Sequence, residues 1–146
     1  MMKLLAPTIS VIAATGFAVL TAPTAGAAPN EPPADRCFTA SAGKHKTSLG
    51  AHQWTLRLQA EWCVADVDGR PKIVSVRRST RVRTGTNWKL ISRTGSTGRE
   101  GSRRATVESR AHFRLRYPYF EQNCYPRVAI EMQANGAFTR TVRTGC

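Results

Sequence analysis

The sequence predicts an all-β protein, an antiparallel β-sandwich of about seven strands stapled by two hairpin disulfides. Three observations carry that reading. Long runs alternate apolar and polar residues, and no stretch shows helical periodicity. The turn dipeptides Asp68-Gly69 and Asn135-Gly136 punctuate those runs. Four cysteines stand where they would close hairpins. An immunoglobulin-like arrangement is one expected form of the sandwich, and a small open barrel is the alternative.

The chain begins Met1-Met2-Lys3, runs apolar from Leu4 to Leu20 and reaches Ala25-Gly26-Ala27. A basic start, an apolar middle and a small-x-small end form a secretory signal pattern, with cleavage expected after Ala27. A transmembrane anchor is the competing reading. Pro7 and Gly16 interrupt the run, its length is near the lower end of the ~17–25 residues a span needs, and no basic residue follows at once. No cysteine follows the cleavage position, which argues against a lipoprotein. The expected organisation is therefore a signal peptide over 1–27, an extended leader over 28–35 with Pro29, Pro32 and Pro33, and one secreted sandwich domain over 36–146. A domain of that size can bury one core and is helped by covalent staples.

The central strand is expected over 52–64. Trp54, Leu56, Leu58, Ala60 and Trp62 alternate with Thr55, Arg57, Gln59 and Glu61, so both tryptophans fall on the apolar face. Setting Cys37 opposite Cys63 places Phe38 against Trp62, Ala40 against Ala60 and Ala42 against Leu58, all on that face. The connecting loop then spans 47–53, with Gly50 at its middle. A Cys63–Cys124 link, like the inter-sheet bridge of an immunoglobulin domain, needs Cys63 to point inward against the alternation. On the other side of the central strand, a loop at Val67-Asp68-Gly69 pairs Trp62 with Val74 and Ala60 with Val76. Arg78 and Thr80 interrupt the apolar face, so that strand is expected to end or bend near Val76.

Further on, Trp88, Leu90 and Ile91 suggest a short strand over 87–92, and 94–102 reads as a mobile loop rich in Gly, Ser and Thr. Ala105, Val107, Ser109, Ala111, Phe113, Leu115 and Tyr117 then face inward, with Thr106, Glu108, Arg110, His112, Arg114 and Arg116 outward. An aromatic turn, Tyr117-Pro118-Tyr119-Phe120, ends the strand. In the last hairpin the apolar positions Val128, Ile130, Met132, Phe138 and Val142 are all even-numbered. A two-residue loop at Asn135-Gly136 would pair odd with even and fails. A three-residue loop, Ala134-Asn135-Gly136, sets Met132 against Phe138 and Val128 against Val142, with Gly136 in the left-handed region. The same register sets Cys124 against Cys146.

The formal net charge is +13, and most of the basic residues are arginine. Arg77, Arg81 and Arg83 share one outward face, and Arg110, Arg114 and Arg116 share another. Guanidinium groups pair bidentately with phosphate and carboxylate. If the two faces meet on one sheet, Arg77, Arg81, Arg110, Arg114 and Arg116 form a cationic surface for a polyanion, whether nucleic acid, an anionic cell-wall polymer or an anionic lipid surface. The bland alternative is a purely structural protein with a solvated surface, its arginines paired with Glu61, Glu108 and Glu131. A small secreted nuclease-like hydrolase is a third reading, with Glu108, Arg110 and His112 on one strand face as its only candidate cluster. No Gly-x-Ser-x-Gly elbow is present, no residue is assigned a catalytic role, and no C-x-x-C or H-x-x-x-H spacing suggests a metal or other cofactor. Tyr117, Tyr119, Phe120 and Tyr125 either plug one end of the sandwich or, if exposed, offer rings for stacking on sugars or bases.

Trp54 through Trp62-Cys63, Asp68-Gly69, and Cys124 with Asn135-Gly136 together resemble the small two-disulfide β-sandwich proteins that actinobacteria export. The resemblance covers the chain after residue 27 and implies the fold and an extracellular location. It carries no site residues. The enediyne-carrier apoproteins have tighter cysteine loops and an acidic character, and the reactive-loop cysteine pattern of the subtilisin-inhibitor family is missing here.

Overall fold

Strand β2 (Ala51–Val67) lies at the centre of a three-stranded sheet, between β1 (Arg36–Ser48) and β3 (Arg70–Thr84), with both neighbours antiparallel. A second antiparallel sheet contains β4 (Trp88–Thr97), β5 (Arg104–Tyr117), β6 (Phe120–Cys124), β7 (Arg127–Gln133) and β8 (Phe138–Arg143). Its order is β4-β5-β7-β8, and β6 pairs with the half of β5 that β7 leaves free. The computed structural model describes residues 36–146, so the expected signal peptide and leader lie outside the described residues. No helix occurs among the described residues.

The two sheets pack face to face over the inner side of β2. Trp54, Leu56, Leu58, Ala60 and Trp62 are all fully buried. Alternation therefore becomes burial along the strand, and each large apolar side chain removed from water contributes about 1.5–3 kcal/mol. Trp54 stacks on Phe113 of the facing sheet, with centroids 4.9 Å apart and planes 10° apart. At the other end Trp62 stacks against Phe38 at 5.5 Å and meets Phe138 edge-on at 6.1 Å. Its indole N–H donates to the Gln133 carbonyl at 3.2 Å, which satisfies a buried polar group and ties the sheets together.

Two hairpin registers match the expectation residue for residue. Phe38 faces Trp62, Ala40 faces Ala60 and Ala42 faces Leu58. Met132 faces Phe138 and Val128 faces Val142. Gly136 has φ 88°, and the Gln133 amide donates to the Ala137 carbonyl at 2.9 Å, closing the three-residue loop. Both disulfides, Cys37–Cys63 and Cys124–Cys146, are formed.

The β2–β3 hairpin differs from the expectation. Asp68 and Gly69 both have positive φ, 54° and 70°, so the loop is the tight two-residue turn with Val67 opposite Arg70. That turn alone would put the valines of β3 on the wrong face. A bulge beside Cys63 and Val64 absorbs one residue, Val74, and restores the parity. Ile73 consequently enters the core in place of Val74, and Trp62 faces Val76 while Ala60 faces Arg78. β3 does not stop near Val76. It continues to Thr84, paired with β2 as far as Trp54, and the Arg78 side chain that interrupts the apolar face donates to the Glu108 carbonyl at 3.2 Å.

Other elements are also longer or more ordered than their sequence suggests. The loop expected over 47–53 is a two-residue turn at Leu49-Gly50, with strands reaching it from both sides. β4 runs to Thr97, through part of the stretch expected to be loop, with a register shift between Leu90 and Ser92. The remaining loop is tied to β3: the Gly101 amide donates to the Ile73 carbonyl at 2.7 Å, and the Ile73 amide donates to the Ser102 carbonyl at 2.8 Å. The eighth strand is the short β6. The sheets keep chain neighbours together, unlike the interleaved A-B-E-D and C-F-G order of an immunoglobulin domain.

Trp54→Ala should lower unfolding stability by about 3–5 kcal/mol in urea titration, because a fully buried indole leaves a cavity between the sheets. Replacing Cys37 and Cys63 together by Ser should cost about 3 kcal/mol on the chain-entropy account of the loop they close. A Trp54→Ala effect comparable to that of a surface substitution would contradict the assigned core.

Candidate functional site

Sheet topology separates the two arginine rows. Arg77 and Arg81 are on β3 of the three-stranded sheet, whereas Arg110, Arg114 and Arg116 are on β5 of the other sheet. Outward positions of two packed sheets point to opposite sides of the sandwich. The five residues therefore do not form the single plane that joining the two faces required, because β3 and β5 pack face to face instead of pairing edge to edge.

The two faces also differ in how their charge is satisfied. On the five-stranded sheet the carboxylates reach the arginines. Arg110 and Arg127 both bond the Glu108 carboxylate, one at each oxygen. Glu121 accepts Arg114 at 3.4 Å and Arg116 at 3.8 Å. Asn123 knits this group together, accepting from Arg114 at 3.4 Å, meeting the His112 ring at 2.8 Å and donating to Glu121 at 3.2 Å. His112 also stacks on Tyr125 at 4.5 Å. Arg110, Arg127 and Arg143 stand in one register row across β5, β7 and β8. They line a shallow cleft of about 420 Å³ with Ser92, Thr94 and Tyr125.

Glu108 is the buried member of this group. Burial pushes its carboxyl up, but hydrogen bonds and charge from Arg110 and Arg127 outweigh that and hold it below the ordinary carboxylate value. A carboxylate so held is a weak proton acceptor. Glu108, Arg110 and His112 do share a face, as the nuclease-like reading requires. The Glu108 carboxylate is engaged by Arg110 and Arg127, and the His112 ring by Asn123 and Tyr125.

On the three-stranded sheet the arginines have no such partners. Arg57, Arg77, Arg81 and Arg83 project from β2 and β3, all exposed, and none makes an ion pair among the described residues. Arg57 lies directly opposite Arg81, a like-charge cross-strand pair that weakens the sheet. Glu61 is opposite Arg77 in register without forming an ion pair. At the β1 edge the face continues into a depression of about 400 Å³ lined by Gly43, Lys44, His45, Arg57 and Arg140.

Arg57, Arg127, Arg140 and Arg143 were not among the expected site residues. The pairing of Arg127 with Arg143 follows from the expected β7–β8 register, one position from Val128 and Val142. The pairing of Arg57 with Arg81 was hidden, because the expected β2–β3 register set Arg57 opposite Ser79. No group of three or more His, Cys, Asp or Glu side chains is placed to hold a metal ion among the described residues. Comparison with known proteins found no matching family model, no similar curated protein and no similar solved structure. Fold and surface chemistry thus define the chain as a two-layer, two-disulfide β-sandwich with arginines on both outer faces.

Because the Glu108 carboxyl titrates lower folded than unfolded, its contribution to stability is present above the unfolded value and is lost as pH falls through the folded one. Wild-type stability should therefore fall on acidification below the ordinary carboxylate range, and Glu108→Gln should flatten that acid limb. Thermal melts across the acid range check this; an unchanged acid limb in Glu108→Gln would contradict the assigned pairing.

Proposed function

We propose that this is an exported, non-catalytic binding protein whose ligand is a polyanion, either nucleic acid or an anionic cell-wall polymer. The residues carrying the interaction are Arg77 and Arg81 with their neighbours Arg57 and Arg83, and Arg110, Arg114 and Arg116 play a lesser part. The observation that carries this reading is that Arg57, Arg77, Arg81 and Arg83 make no ion pair among the described residues, whereas Arg110, Arg114, Arg116 and Arg127 on the other face are held by Glu108 and Glu121. Arginines already held by Glu108 or Glu121 must exchange one partner for another, whereas unpaired ones release counterions outright. The unrelieved Arg57–Arg81 contact costs a few tenths of a kcal/mol or more, a cost that a bound anion removes. Two disulfides in a small sandwich fit an oxidising compartment, which supports export. Nothing on this face reads base edges, so discrimination among nucleotide sequences is expected to be poor.

Affinity for duplex DNA and for a teichoic-acid-type polymer, measured across a salt series, tests the reading. Replacing Arg77, Arg81 and Arg83 together by Ser should weaken binding and reduce the slope of log affinity against log salt by about two to three. Replacing Arg110, Arg114 and Arg116 should change the slope by about one or less. Arg81→Ser alone should weaken binding while raising stability slightly, because it removes the like-charge pair. Absence of binding at low salt, or equal effects of the two triple replacements, would leave only a solvated surface.

A further inference from the structure

We propose that one end of the sandwich docks onto an anionic lipid bilayer, with Leu49, Tyr119 and Phe120 entering the interface. This surface adjoins the arginine rows through Arg83 and Arg116, but the inference rests on the exposed side chains of the turns and does not depend on the polyanion reading.

Three connections meet at that end: the β1–β2 turn at Leu49-Gly50, the β3–β4 link over 85–87, and the β5–β6 turn at Pro118-Tyr119. Their proximity is recorded by two hydrogen bonds, from the Gly85 amide to the Gln53 carbonyl at 2.7 Å and from the Asn87 side chain to the Tyr117 hydroxyl at 3.0 Å. The aromatic turn does not plug the sandwich. Tyr119 is 101% exposed, Phe120 55% and Leu49 104%. The end is closed instead by Trp88, over whose ring Lys46 sits at 5.4 Å.

Leu49 is the informative residue. The turns Leu49-Gly50 and Asp68-Gly69 share the same backbone class, with positive φ at both central residues. Asp68 suits that conformation because a short polar side chain tolerates it, and Asn, Asp or Gly normally occupies the position. A leucine there, at φ 47°, is strained and wholly exposed. Neither local conformation nor packing accounts for it, and strain of this kind points to a functional role. Single apolar side chains projecting from separate convex turns fit a bilayer, into which each can sink independently, with tyrosine at headgroup level.

The charges around the tip agree with an anionic surface. Lys44, Lys46, Arg83, Lys89 and Arg116 stand on the strand ends leading to it. Among the described carboxylates only Glu121 lies at this end, and it is paired with Arg114 and Arg116. Asp66, Asp68 and Glu100 are at the opposite end. This distribution orients the tip toward negative headgroups.

Co-sedimentation of the full chain with vesicles of phosphatidylglycerol and phosphatidylcholine, and with phosphatidylcholine alone, tests the proposal. Binding is expected to the anionic vesicles. Leu49→Asn and Tyr119→Ser should each weaken it about tenfold, the effect of withdrawing one large side chain from an apolar phase. Leu49→Asn relieves the backbone, so its melting temperature should not fall, and lost binding then cannot be ascribed to unfolding. No binding to anionic vesicles overturns the proposal. Binding that both variants retain and salt abolishes also overturns it, assigning the attraction to the arginine face.

Discussion

Burial of one row of side chains, from Trp54 to Trp62 on β2, is the constraint on which the rest of the molecule depends. β2 is paired on both sides, and its inner face meets the second sheet along its length. Its tryptophans anchor opposite ends, Trp54 against Phe113 and Trp62 against Phe38 and Phe138. Once those residues face inward, the pleat sends Arg57, Gln59 and Glu61 outward without further choice. The register of β3 then brings Arg81 beside Arg57. The surface charge pattern is thus a consequence of the core.

A second consequence is the division of labour between the two faces. The five-stranded sheet pairs Arg110, Arg114, Arg116 and Arg127 locally, with Glu108 and Glu121 each serving two guanidinium groups. On the three-stranded sheet Arg57, Arg77, Arg81 and Arg83 have no ion-pair partner among the described residues. Surface ion pairs contribute little to stability individually, so the difference matters more for binding than for folding. The exception is Glu108, which is mostly shielded from water and therefore bound more tightly to its partners.

Legibility from sequence followed how tightly each register was pinned. The β1–β2 and β7–β8 hairpins were readable because cysteines at their ends and large apolar residues on one face demanded the same alignment. The β2–β3 hairpin was not, because a two-residue turn and a one-residue bulge cancel each other's effect on parity. Ile73 and Val74 are both β-branched, so composition does not say which one the bulge expels. β6 carries no alternation in Phe120-Glu121-Gln122-Asn123-Cys124 and is a strand only because β5 extends beyond β7. The basic faces were visible as alternating arginines. Their assignment to different sheets was not, since it depends on which strands pair at long range. The exposed aromatic turn was visible as a cluster, but its exposure follows from Trp88 already closing that end.

Native-state hydrogen exchange on the purified protein tests most directly whether β2 organises the fold. The account predicts that the slowest-exchanging amides are those of β2 between Leu56 and Trp62, opening only with global unfolding. If the most protected amides lie in β5 and β7 while the β2 amides exchange through an earlier, partial opening, the second sheet is the organising element and the account is wrong.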